Sequence, residues 1–432
     1  MIRALCLALL LLAAPVAAQA PLGDAPELGS RAKQTIGVRT LTLRFPNRPD
    51  VTRPDGKGGF ATAERVLPVT IWYPSAGGEQ HNAYSYKTSP VPTVPAGRVP
   101  ATVSVAGAAA ADAPPAAGRF PLVVISHGFL NRAVMFSDLA EILASKGYVV
   151  ASIDHGDLDD LAKSRDLAFI KVVANRAADQ RLVIAELTRR AGGSDPLWSH
   201  VDARRIALMG YSMGGFGALA TAGADYDPGS ALFRLAPPGT AALVASAPPP
   251  ANLKALIAFA PWGGGQPLRA FAPAGLAKLT VPSLFIDGDQ DDVADFAGGV
   301  RYLFDGVAGD RYLLVYQNAR HNIATNATPP ELQGQFEYRE RQDEPVWRKD
   351  RILAINAHML TAFLDWQLKG MAGSKAYLDV PTPRAVDGTW PVKQGEDVGA
   401  ATARPGVEPR GYWPGFQRRW ALGLELIHGA AR

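Results

Sequence analysis

Arg205-Ile206-Ala207-Leu208-Met209-Gly210-Tyr211-Ser212-Met213-Gly214-Gly215-Phe216-Gly217 runs from an apolar segment, through a serine framed by glycines, into a run of small residues. It reads as a short strand, a sharp turn and a helix. Gly210-Tyr211-Ser212-Met213-Gly214 matches the nucleophile-elbow pattern Gly-x-Ser-x-Gly. A serine on so tight a turn sits in strained backbone, with its hydroxyl pushed out above the sheet edge. Side chains two residues either way would collide with the adjoining strand and helix, so glycine is required at both places. The first amides of the helix, with its dipole, favour negative charge beside the serine. Five residues alone also describe an ordinary Gly/Ser turn capping a helix, and a chain with 43 glycines offers such patterns by chance. The flanking sequence decides between the two.

Upstream, Arg39 to Phe45 alternates as a half-buried strand should, and Leu67 to Pro74 forms a second. Residues 75–119 carry no periodic signal and are dense in Ala, Pro and Gly, which reads as a partly flexible surface insertion. Pro121 to Ser126 has the continuous apolar character of a central parallel strand and ends in His127-Gly128-Phe129. A helix over 134–146, a strand from Tyr148 to Asp154 and a long helix over 166–190 follow. Beyond the elbow, strands are expected at Ala255–Pro261, Ser283–Asp287 and Arg311–Gln317, with a closing helix from Asp350 to Lys369. Alternating strands and helices predict an α/β fold: a mostly parallel eight-stranded sheet with helices on both faces, the serine turn following the fifth strand. Segment 224–252 lies where a cap over the site could sit. Residues 371–432 form a Pro/Gly-broken extension expected to pack on the domain of residues 21–370.

A serine hydroxyl needs a base to take its proton, and the base needs a third group to fix its tautomer. In this sheet order the partners come as acid and then histidine, on loops at the carboxyl ends of strands. Of seven histidines only His321, His358 and His428 follow Ser212, and His321 lies directly after the last strand. Asp287-Gly288-Asp289-Gln290-Asp291-Asp292 offers four carboxylates after the seventh strand. Asp291 is best placed to reach His321. Asp292 is the second choice, since it could instead cap the next helix. Backbone N–H groups of Met213 and Phe129 are the candidate oxyanion donors. His127 reads as bracing the Phe129 loop. His155 and Asp157 could brace that loop too, or Asp157 could simply start the next helix, the reading preferred here. Trp262, with Phe129 and Met213, is a candidate for the apolar substrate pocket.

Met1-Ile2-Arg3, the apolar run Ala4 to Ala14 and the small-x-small site Ala18-Gln19-Ala20 read as a signal peptide over residues 1–20, which implies an exported, periplasmic or extracellular chain. The single cysteine, Cys6, would leave with it, and so would Arg3, taking the formal charge from +4 to +3. A mature chain of this kind has no thiol nucleophile, disulfide or cysteine-based metal site. Its basic residues are scattered, which points away from nucleic acid. No second apolar run reaches membrane-spanning length.

Together the strand order and the elbow resemble the α/β-hydrolases. Ile125 to Phe129, Leu143 to Val150 and Asp154-His155-Gly156-Asp157 are similar to the dienelactone hydrolase-like group, which includes the platelet-activating-factor acetylhydrolases. The likeness spans roughly residues 35–370. The animal acetylhydrolases carry their acid after the sixth strand, where this chain has Ala260-Pro261-Trp262 and no carboxylate. The acid therefore falls after the seventh strand, as in most α/β-hydrolases and in bacterial polyester hydrolases, whose elbows also often read Ser-Met-Gly-Gly. The resemblance implies hydrolysis of carboxylic esters, of short-acyl or lipid-like type, by Ser212, His321 and Asp291, with no metal or organic cofactor. Alternatives are a polyester or cutinase-like hydrolase, a peptidase or acyltransferase with the same triad, and a non-catalytic binding protein on the same fold.

Overall fold

The computed structural model describes residues 23–77, 84–93, 97–244, 247–390, 394–395, 402–403 and 411–432. The expected signal peptide lies outside them.

Twelve strands occur among the described residues: β1 (Ile36–Pro54), β2 (Phe60–Pro74), β3 (Ser85–Thr88), β4 (Val103–Ala106), β5 (Ala110–Ala111), β6 (Phe120–Ser126), β7 (Val149–Ile153), β8 (Val201–Tyr211), β9 (Leu253–Phe259), β10 (Ser283–Gly288), β11 (Arg311–Tyr316) and β12 (Leu424–Gly429). Ten of them form one sheet in the order β12-β11-β10-β9-β8-β6-β7-β2-β1-β5. Its centre, from β7 to β11, is parallel. Leu122, Val123, Val124 and Ile125 are fully buried, so this strand is covered on both faces, which is why it reads as an unbroken apolar run. Ser126 pairs with Gly210, Tyr211 with Phe259 and Gly288 with Tyr316, so the carboxyl ends of five strands meet along one edge. Open α/β sheets bind ligands at that edge.

Four long helices cover the sheet: α1 (Ser137–Ser145), α2 (Arg165–Arg190), α3 (Met213–Thr221) and α4 (Lys349–Gln367). Residues of α1 and α4 share one hydrophobic cluster, and those of α2 and α3 share the other, on the opposite face. On α2 the buried set includes Val173, Ile184 and Leu187 but also Arg176, Asp179 and Gln180. An apolar-period reading passes over those three polar residues.

All eight expected strands are present, and the sheet gains an edge strand at each side. β12 comes from the C-terminal extension and pairs antiparallel with β11. Its six residues follow a Pro/Gly-rich stretch and bury only alternate side chains, a signal too short to register as a strand. The same extension sinks Tyr412, Trp413 and Phe416 into the cluster around α4. At the other edge, β5 and the β3–β4 hairpin arise from the 75–119 insertion. Tyr86 of β3 is buried, accepts a hydrogen bond from Trp72 Nε1 at 2.6 Å and donates to Glu141 of α1 at 2.5 Å, which ties the hairpin to the body. β1 and β2 run well past the expected 39–45 and 67–74. Their outer parts are mostly exposed and the pairing shifts register between Phe45 and Pro54, which is how an edge ribbon accommodates Pro46 and Pro49. In segment 224–252 the Ala247 and Pro248 carbonyls accept from Arg181 of α2, the Asp225 and Asp227 amides donate to the Gly275 and Ala270 carbonyls, and Gly239 abuts the Gly58 carbonyl at the β1–β2 tip.

Candidate active site

Ser212 sits between β8 and α3 with φ 53° and ψ −117°, a positive φ in a residue with a side chain. Its N–H donates to the Phe259 carbonyl at 2.9 Å, as a strand residue would. Its carbonyl accepts from Phe216 N–H at 3.0 Å, as a helix residue would, and from Trp262 N–H at 3.1 Å. The turn is therefore held from both sides. A Cβ on Gly210 would strike the Gly214 carbonyl, and one on Gly214 would strike the Ser126 carbonyl, so the elbow glycines are required sterically.

His321 lies in the loop after β11, with its Nδ1 2.7 Å from Asp291 Oδ2 in the loop after β10. Asp291 Oδ1 accepts from the Val293 and Ala294 amides at 2.7 and 2.9 Å. Burial alone would raise the Asp291 carboxyl, but the His321 ring and the Ala294 amide outweigh it and hold it below its ordinary value. Asp292 faces away and pairs with Arg320 at 3.3 Å. Tyr211, the residue before the serine, lies under His321 with ring centroids 5.1 Å apart. The Ser212 hydroxyl itself forms no hydrogen bond among the described residues, and Ser212 is 7% exposed. Such contacts commonly tighten only when substrate is bound.

The loop after β6 presses against the serine. A carbon added at Gly128 would lie 3.1 Å from Ser212 Cβ. Among the described residues neither the Phe129 nor the Met213 N–H finds a backbone acceptor. Two unpaired amides beside a serine are the donors an oxyanion requires. Trp262 is partly buried, its ring 5.9 Å from both Phe169 and Phe216, and Phe129 stands 5.9 Å from Phe169. These rings form one aromatic cluster, joined to the serine turn through Trp262 N–H, which donates to the Ser212 carbonyl.

Beneath that loop is a buried polar network. His127 Nδ1 bonds the Gly128 carbonyl at 2.7 Å, and its Nε2 accepts from His155 N–H at 3.0 Å. Asp157 starts a short helix, as preferred from sequence, and also accepts from Leu130 N–H at 3.2 Å and from Arg176 at 2.6 Å. The bracing role therefore holds as well. Ser126, His155 and Asp179 make a second Ser–His–Asp chain, with Ser126 Oγ to His155 Nε2 at 2.8 Å and His155 Nδ1 to Asp179 at 2.9 Å. All three are at most 2% exposed, so no substrate can reach them. Burial, with Arg176 nearby, pushes the His155 ring down to about 3, and Arg65 anchors Asp179 at 2.6 Å. This chain is scaffolding.

Sequence reasoning missed Glu344, whose carboxylate accepts from the Arg320 and Asn322 amides at 2.6 and 2.7 Å and so clamps His321 from both sides. No motif marks it, because it lies beyond the loop it holds. His358 is buried against the C-terminal extension and His428 pairs with Asp310 at 2.7 Å, both away from Ser212. Among the described residues no three His, Cys, Asp or Glu side chains are grouped to hold a metal ion, and no helix is long and apolar enough to cross a membrane.

A family model described as PET hydrolase-like matches residues 91–237, which include Phe129, Ser212 and Met213 but stop short of Asp291 and His321. Cutinase est1 of Thermobifida alba is 28% identical over 208 residues, 48% of this chain and 54% of the cutinase. A bis(hydroxyethyl) terephthalate hydrolase of Streptomyces coelicolor is 27% identical over 206 residues, 47% of this chain and 51% of that protein. The chain thus spans about half the length of these curated relatives. A ferulic acid esterase from Streptomyces cinnamoneus superposes with a TM-score of 0.54 at 24% identity, covering 80% of this chain and 94% of that one. A mostly parallel sheet, a strained serine at a strand-to-helix turn and these likenesses make the chain a member of the α/β-hydrolase superfamily.

Proposed function

We propose that this protein is a serine hydrolase of carboxylic esters. The observation that carries the reading is the His321–Asp291 pair, with Tyr211 packed on His321 next to a strained serine, and Phe129 and Met213 amides that find no backbone acceptor among the described residues. Ser212 Oγ attacks the ester carbonyl while His321 Nε2 takes its proton, and Asp291 holds the Nδ1–H and steadies the imidazolium. Phe129 and Met213 amides hold the tetrahedral oxyanion. Collapse of that intermediate expels the alcohol, which leaves with the proton from His321. Water, deprotonated by the same ring, then releases the acid from Ser212. None of these steps calls for a metal or organic cofactor.

The relatives' names, cutinase and bis(hydroxyethyl) terephthalate hydrolase, favour the polyester branch of this reading, and the aromatic cluster of Phe129, Phe169 and Trp262 suits an aromatic or short aliphatic acyl group. We further propose that residues 1–20 direct export, and that residues 21–370 with the C-terminal extension form one catalytic body, the extension supplying β12. A ladder of p-nitrophenyl esters from acetate to laurate, run on the mature protein and on Ser212→Ala, tests the activity. Turnover that peaks at short chains and vanishes in the variant is the expected result. No turnover at any length by folded protein moves the reading to a peptidase, an acyltransferase or a binding protein.

A further inference from the structure

The proposed reaction routes every proton through His321, so its rate depends on how the turn Arg320-His321-Asn322 is held. The N–H groups of the two residues flanking the histidine converge on one carboxylate. Glu344 Oε2 accepts from Arg320 N–H at 2.6 Å, and Oε1 accepts from Asn322 N–H at 2.7 Å. Among the described residues neither N–H has a backbone acceptor, and the hydrogen bonds of the Glu344 carboxylate go to this turn alone. Converging backbone amides form a concavity that binds anions, and here the chain supplies the anion itself. Glu344 lies in the short link between the helix Phe336–Gln342 and α4.

The carbonyl side of the turn is held as closely. His321 C=O accepts from Ile323 N–H at 2.9 Å and from the Tyr211 hydroxyl at 3.4 Å. Asn322 C=O accepts from Lys349 Nζ, and Ile323 C=O accepts from Asn356 Nδ2 at 2.6 Å. Opposite charges, Glu344 and Lys349, thus take the N–H and the C=O of one residue, Asn322. Both are buried, at 7% and 8% exposure. A charge withdrawn from water costs stability unless hydrogen bonds replace its hydration. At position 344 a carboxylate also differs from its nearest isostere in what it offers. It presents two acceptor oxygens to two donors, whereas glutamine presents one oxygen and one NH2 group. Glutamine would leave one backbone N–H facing a second donor, in the turn whose ring Asp291 holds at 2.7 Å.

We propose that Glu344 is a positioning residue for catalysis: by binding the amides on both sides of His321 it fixes where the imidazole stands between Asp291 and Ser212. It acts through His321 rather than on the substrate. Charge-assisted bonds to both amides suit the task, because they are shorter and stronger than neutral ones and hold the main chain rather than a side chain. The proposal rests on the ester-hydrolase reading and adds a residue to its machinery.

The test compares wild type with Glu344→Gln and Glu344→Asp on a soluble p-nitrophenyl ester, well below the melting temperature of each, with folding checked by circular dichroism. Glu344→Gln should lower kcat by about 10- to 100-fold, the scale of a misplaced catalytic group, with KM within about threefold of wild type. Glu344→Asp keeps both acceptors one methylene short and should fall between the two. A second readout is the low-field proton resonance of His321 Nδ1–H, assigned by its absence in His321→Ala. It should shift or broaden in Glu344→Gln. A residue that only stabilises the fold would lower the melting temperature and leave kcat and this resonance unchanged. That result, with kcat of both variants within about twofold of wild type, overturns the proposal and leaves the esterase reading standing. Failure of both variants to fold overturns it as well, since the role is then structural. If Glu344→Gln alone fails to fold, Glu344→Asp decides by the same criteria. No turnover of any ester by folded wild-type protein overturns both readings.

Discussion

His321 Nδ1 and Asp291 Oδ2 lie 2.7 Å apart across two neighbouring strand ends, while Asp292, one residue further on, turns outward to Arg320. Adjacent carboxylates in one loop thus have separate tasks, set by which of them the Val293 and Ala294 amides hold inward. Asp291→Asn should lower kcat by about three to four orders of magnitude, because the ring loses its fixed tautomer. Asp292→Asn should stay within about twofold of wild type, as an exposed ion pair contributes little. Steady-state kinetics on a soluble ester separate the two.

Asp287 is fully buried at the end of β10, and neither of its carboxyl oxygens has a hydrogen-bond partner among the described residues. Burial, and then the negative charge of Asp291, raise this carboxyl well above its ordinary value, which favours its protonated form in the folded protein. In the unfolded chain it ionises near pH 4. Its raised pKa therefore contributes stability below about pH 4 that is lost as pH rises toward the folded value. Asp287→Asn removes the ionisable group at nearly constant shape. Its melting temperature relative to wild type should be higher at pH 8 than at pH 4, and melts at the two values check the sign.

Gly214 lies inside α3, where alanine would ordinarily strengthen a helix. Here a Cβ would drive into the Ser126 carbonyl. Gly214→Ala should therefore destabilise by about 1–3 kcal/mol and shift the serine turn. Denaturant unfolding measures the first effect and kcat the second.

Trp413 is fully buried, with its Nε1 donating to the Thr382 carbonyl at 2.9 Å, and β12 completes the sheet beyond β11. Trp413→Ala should cost about 3–5 kcal/mol. Removal of residues 411–432 should yield insoluble or molten protein, in contrast to a detachable binding module, whose loss would leave soluble-ester turnover intact. Solubility and thermal melts of the truncated chain decide between them.

The sequence was most legible where the physics is local. Ser212 announces itself because strand, turn and helix sit side by side in the chain, and the central strands do so because burial on both faces leaves an unbroken apolar run. His321 and Asp291 followed from the order in which strand ends meet one edge. Pairings between distant segments left no local trace. Glu344 holds the His321 loop from beyond it, Tyr86 reaches Glu141 across 55 residues, and β12 has only six residues whose partner lies far upstream. Arg176, Asp179 and Gln180 escaped for a related reason, since polar residues on a buried helix face break the pattern by which such faces are recognised.

The most direct test of the central claim is covalent labelling with a p-nitrophenyl phosphonate ester, followed by release of p-nitrophenolate and by peptide mass spectrometry. One equivalent released per chain, the adduct on Ser212 and loss of ester turnover in step with labelling are the results expected here. Labelling elsewhere, or full turnover retained by Ser212→Ala, would contradict the assignment of this serine as the nucleophile.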